Sequence, residues 1–141
     1  MNRCDARVLV VDDAPLSRLA TNHALQQLGF RLVEEAAAGA DALELLEARP
    51  FDLVISNWQL PDMSGRELLH VIRHTPDLAG TPVVIATPVT ADVVAEAAEA
   101  GVSAFLPRPI ALQTLEDVLR LFIGGPGSLR SPRPVWNALE N

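Results

Sequence analysis

The 141-residue chain contains no lysine, and all 11 of its basic residues are arginine. Against 18 acidic residues they leave a formal net charge of −7 and an isoelectric point near 4.8. A chain this acidic repels polyanions, which argues against nucleic acid or an anionic membrane as a partner. Cysteine is nearly absent: Cys4 stands alone, so no internal disulfide forms and a cysteine-ligated zinc domain is excluded. Long apolar runs are missing as well. The first, Val8 through Val11, stops at Asp12 and Asp13 and makes no signal-peptide core. The longest uncharged stretch, residues 78–91, carries Pro82 and Pro88 and falls short of the ~18–20 residues a bilayer needs. The expectation is a soluble cytoplasmic protein.

What is present is apolar material in regular alternation. Hydrophobic residues make up 49% of the chain, enough to build a core. Residues 7–11 (RVLVV) form a β-branched run that reads as a buried strand. Pro15 suits the first turn of a helix, with Asp12 or Asp13 near its cap. Leu16, Ala20, Ala24 and Leu28 recur at helical spacing until Gly29 ends the run. Residues 31–35 read as a second strand and 39–49 as a second helix. Residues 51–56 (FDLVIS) read as a central strand, and 57–63 as a loop. Ser64 and Glu67 then form a capping box that opens a third helix. Residues 82–87 read as a fourth strand, followed by an alanine-rich helix that starts at Thr90 or Asp92 and closes at Gly101. Residues 103–106 and 110–122 complete the pattern as a strand and a helix.

Five strand–helix alternations with short connections predict an α/β sandwich around a parallel sheet. In such folds the ligand site lies beyond the carboxyl ends of the strands. The residues there are Asp12, Asp13, Asn57, Thr87 and Arg108. Carboxylates in this position suit a hard cation such as Mg²⁺. Other chemistries on a similar sheet fit poorly. The loop DDAPLS has no glycine, so a nucleotide or flavin phosphate loop is absent. A hydrolase of this architecture would carry Asp-x-Asp, whereas Asp12 and Asp13 are adjacent.

Taken together, VLVVDDAPLSR, DLVISNWQLPDMSG, Thr87 and FLPRPI make the chain resemble the receiver domain of two-component response regulators, especially the single-domain chemotaxis type. The resemblance spans about residues 5–123 and implies a doubly wound (βα)5, flavodoxin-like, three-layer fold with a five-stranded parallel sheet. It implies that Asp12 and Asp13 are the metal-binding acidic pair, with the Gln59 backbone carbonyl as a further metal contact. Thr87 matches the switch hydroxyl and Phe105 the switch aromatic, while Pro61 and Gly65 match loop landmarks. It further implies a cis peptide bond before Pro109.

Three positions depart from the family pattern. The phosphoacceptor position holds Asn57, the lysine position holds Arg108, and Pro88 follows the switch threonine. A carboxamide is no nucleophile and forms no acyl phosphate. Its substitution also removes a charge from the metal cage, and a charge contact at about 4 Å is worth about 4 kcal/mol at an effective dielectric of 20. Mg²⁺ binding is therefore expected to be weak or absent. Pro88 lacks the N–H that in the family meets a phosphoryl oxygen. Arg108 presents a fork rather than a point charge, and is expected to bridge Asp12 or Asp13. Ser56 neighbours Asn57, but alternation along a strand turns it away.

The expectation is a degenerate, phosphorylation-independent pseudo-receiver, not an enzyme, working by protein–protein contact. Its partners are a histidine kinase or a downstream target, or a second copy of the chain. The surface is the fourth helix, fifth strand and fifth helix, residues 91–122, where Ala95, Ala97, Ala98 and Ala100 permit close approach. Two alternatives stand beside this: an ordinary phospho-accepting regulator carrying an engineered Asn57, and a pseudo-receiver that binds a small molecule. The receiver-like domain is taken as 1–123, and the Gly/Pro/Ser-rich residues 124–141 as a tail or docking segment anchored by Trp136. Trp58 is assigned to the core, and His23, His70 and His74 to the surface without metal-ligand company.

Overall fold

A computed structural model of the chain describes residues 1–88 and 90–123. The proposed docking of the tail through Trp136 lies outside the described residues. Strands β1 (Arg7–Val11), β2 (Leu32–Ala36), β3 (Leu53–Asn57), β4 (Val83–Thr87) and β5 (Ala104–Pro107) alternate with helices α1 (Pro15–Gln27), α2 (Gly39–Ala48), α3 (Gly65–His74), α4 (Ala91–Ala100) and α5 (Leu112–Arg120). All strand pairings are parallel and the sheet order is β2-β1-β3-β4-β5. This is the flavodoxin-like α/β fold.

Strand alternation divides the core into two layers. Leu9, Val11, Val54, Val83, Ile85 and Phe105 face α2, α3 and α4. Val8, Val10, Leu53, Ile55, Val84 and Leu106 face the other way, against Leu25 of α1 and Leu115, Val118 and Leu119 of α5. Both faces are covered, which is why the strands read as continuous apolar runs. Trp58 is buried in the first layer, as its sequence context implied.

One helical stripe differs from expectation. The inward positions of α1 are Thr21 and Leu25, whereas Leu16 and Leu19 are 81% and 61% exposed. Of the run Leu16, Ala20, Ala24 and Leu28, the last two pack against the core as partly buried residues, while Leu16 and Ala20 face out. The first turn is instead turned by Ser17 and Arg18, both of which bond back to Asp12. The cap residue is Ala14, with no side-chain cap; Asp12 Oδ1 accepts the Ala14 N–H at 3.0 Å in its place. The α3 start matches the capping box, since Ser64 Oγ accepts the Glu67 N–H at 3.1 Å.

Candidate functional site

The sheet order reverses between β1 and β3, so the crevice of this fold opens between their carboxyl ends. Parallel register makes those ends level: Val11 pairs with Ser56, Asn57 with Ala86, and Thr87 with Pro107. Asp12, Asn57, Thr87 and Arg108 thereby come to one rim from four separate stretches of chain.

Asp12 is the centre of the cluster and is 1% exposed. Its Oδ1 accepts from the Asn57 amide nitrogen and from the Ala14 backbone, both at 3.0 Å. Its Oδ2 accepts from the Ser17 hydroxyl at 2.5 Å and from the Arg108 guanidinium at 3.1 Å. Arg108 reaches further, donating through Nε to the Ala86 carbonyl at 3.3 Å and through its other terminal nitrogen to Ser17 Oγ at 2.9 Å. Ser17 thus relays between the two ions, accepting from one and donating to the other. A buried carboxylate is tolerated when it is paired and hydrogen-bonded on every side, and that is the arrangement here.

The remaining candidate residues divide. Thr87 is buried, with its hydroxyl donating to the Pro88 carbonyl at 3.4 Å. Phe105 is fully buried in the layer beneath α4, beside Ile85 in register. The Arg108–Pro109 peptide bond is cis. Ser56 is buried, its hydroxyl donating to the Asn57 carbonyl rather than reaching the crevice. Asp13 and Pro88 are exposed, and the Asp13 carboxylate makes no hydrogen bond among the described residues. Gln59 is exposed and forms an isolated antiparallel bridge with Ser64. Gly65 lets α3 start against β3: a Cβ there would lie 2.7 Å from the Asn57 carbonyl oxygen and 2.9 Å from Trp58 Cα.

Residue patterns missed three participants. Ser17 is one. Asp62 is the second: in the loop after β3, it accepts the Gly39 and Ala40 N–H groups at 2.8 and 2.9 Å and caps α2 from a distance. Those backbone donors, Ala40 foremost, hold its carboxyl below the ordinary carboxylate range. Arg73 is the third. It donates to the Gly101, Ala79 and Thr81 carbonyls and to Ser103 Oγ, tying the end of α3 to the entries of β4 and β5. Burial pulls its guanidinium below its ordinary value.

A parallel sheet in the order 2-1-3-4-5, with an acidic residue after β1 and polar residues after β3, β4 and β5 at one crevice, defines a doubly wound domain with its site at the topological switch point. Residues 8–120 match the response regulator receiver domain, and the chain belongs to that family. It is 35% identical over 114 residues to the chemotaxis protein CheY-3 of Vibrio cholerae, covering 80% of this chain and 88% of that protein. It is 34% identical over 112 residues to the chemotaxis protein CheY of Pseudomonas aeruginosa, covering 79% and 90%. Among solved structures, CheY4 of Vibrio cholerae superposes with a TM-score of 0.78 at 32% identity, covering 84% of this chain and 98% of that one. The chain is therefore a CheY-like receiver of two-component signalling, a signalling protein rather than a catalytic enzyme, with kinase and target proteins as its class of partner. No described helix is long and apolar enough to cross a membrane.

The family implies a Mg²⁺ ion in this crevice, and the residues present do not suit one. A carboxylate offers about four lone-pair directions, and Asp12 already accepts four donors. One of those donors is the Arg108 guanidinium, a resident cation, and another is the Asn57 amide nitrogen. Only Asp13 stays open to solvent. Among the described residues no group of three or more acidic, histidine or cysteine side chains is placed to hold a metal.

Proposed function

We propose that this receiver signals by protein contact without taking a phosphoryl group. The observation that carries the reading is the Asn57 amide nitrogen donating to Asp12 at 3.0 Å. The family's reaction needs a carboxylate oxygen at residue 57 as nucleophile, and a carboxamide supplies none. Three further features support it. Arg108 and Ser17 occupy the Asp12 carboxylate that would otherwise face a metal. Pro88 offers no N–H to a phosphoryl oxygen. Phe105 is already fully buried, the position this reading associates with an active-like state held permanently.

The output surface in this reading is α4, β5 and α5. Ala95 is exposed on α4, Ala97 is buried beneath it, and Leu112 of α5 is 47% exposed. A small-residue helix face allows a partner helix, or a second copy of the chain, to approach closely.

The test uses beryllium trifluoride, a phosphoryl mimic that requires an aspartate oxygen to coordinate. Amide spectra of the chain recorded with Mg²⁺ and the mimic should show no shifts in α4, β5 or α5. Shifts around Phe105 would contradict the reading. The Asn57→Asp variant is the comparison: shifts appearing only there locate the defect at residue 57.

A further inference from the structure

His70 and His74 lie on α3 four residues apart, a spacing that puts both side chains on one helix face. Their ring centroids are 4.0 Å apart with the planes inclined by 30°. Both residues are exposed, so the space beside the two rings is open to an ion from solvent.

The His74 ring is also oriented. Its Nδ1 lies 2.8 Å from the His70 carbonyl oxygen. A carbonyl only accepts, so Nδ1 donates, and in the neutral ring that leaves Nε2 as the nitrogen with the lone pair. A ligating imidazole is ordinarily held this way, one nitrogen donating to a backbone carbonyl and the other facing the metal.

We infer that His70 and His74 form a two-imidazole chelate for a late first-row divalent cation, with water completing the coordination. Imidazole selects nickel, copper or zinc over magnesium, which prefers oxygen ligands. Two ligands make an open site of modest affinity. The chelate also spans one helical turn, so it requires the folded α3 and stabilises it through linkage. It is independent of the crevice around Asp12, and of whether the chain accepts phosphate.

The probe is Ni²⁺ alone, titrated calorimetrically into the full chain in mildly alkaline buffer, since a ligating imidazole must be neutral. One Ni²⁺ per chain is expected, with the affinity falling about tenfold or more in His70→Gln and again in His74→Gln. The melting temperature of the wild-type chain should rise with Ni²⁺ and that of either variant should not. The exposed positions of both residues make the variants safe for folding. Binding that survives both substitutions, or that is abolished by His23→Gln instead, overturns the site, as does an absence of binding.

Discussion

Arg108 and Asp12 are 96 residues apart in sequence and 3.1 Å apart in space, with Asp12 1% exposed and the Arg108 side chain 23% exposed. The pair joins the end of β5 to the end of β1 across the sheet. Ser17 bonds to both partners, which makes a closed triangle of charge-assisted hydrogen bonds. Removing one member of a buried pair costs more than the pair contributes, because the other charge is stranded.

Arg108→Ala is accordingly expected to lower stability by about 2–3 kcal/mol, read as a drop in the urea midpoint. Arg108→Lys should recover part of that loss, since an ammonium keeps the charge but loses the fork. In both variants Mg²⁺ affinity should rise relative to wild type, as the guanidinium no longer competes for Asp12. An unchanged midpoint in Arg108→Ala would show that the triangle contributes nothing to folding.

Arg73 has four acceptors and no carboxylate partner among the described residues. Arg73→Met keeps much of the aliphatic stem and abandons all four. The expected cost is about 3 kcal/mol by chemical denaturation, with the β4 and β5 entry loops exchanging their amide protons faster. A loss below about 0.5 kcal/mol would place those carbonyls in solvent rather than on the guanidinium.

Asp62 gives a pH signature. Its folded pKa is depressed by the Ala40 and Gly39 N–H donors. Its contribution is therefore present above the unfolded value, about 3.9, and fades as pH falls through the lower folded value. Asp62→Asn removes that ionisation. The variant should be less stable than wild type at neutral pH, and the difference should narrow as the pH falls below about 4. A gap that stays constant with pH would assign the loss to geometry alone.

Gly65→Ala tests the approach of α3 to β3. The added methyl would meet backbone atoms of Asn57 and Trp58, which are not free to move aside. A loss of about 2 kcal/mol is expected. Gly39→Ala meets only the Met63 side chain, a flexible neighbour, and should cost less. Equal losses at the two positions would argue against this account.

Strand and helix order was legible because each strand is an apolar run buried on both faces and each helix follows within a few residues. The crevice residues Asp12, Asn57, Thr87 and Arg108 were legible because a parallel sheet must put strand carboxyl ends together. The α1 run Leu16, Ala20, Ala24 and Leu28 was legible only in its second half: Ala24 and Leu28 pack on the core, whereas Leu16 and Ala20 are exposed and Thr21 and Leu25 are the buried positions. Asp62 and Arg73 act mainly through backbone groups 6 to 28 residues away, and backbone acceptors and donors leave no mark on residue identity. Ser17 is a serine in a first helical turn, where capping explains it as readily as the ion pair does. The His70–His74 spacing was visible, but the proton placement that exposes Nε2 needs the backbone carbonyl position.

The central claim concerns the carboxamide of Asn57. Its most direct test is intact-mass spectrometry of the chain after incubation with acetyl phosphate and Mg²⁺, alongside the Asn57→Asp variant. The wild-type chain should keep its mass throughout. A wild-type species heavier by one phosphoryl group would contradict the account, whatever the variant does.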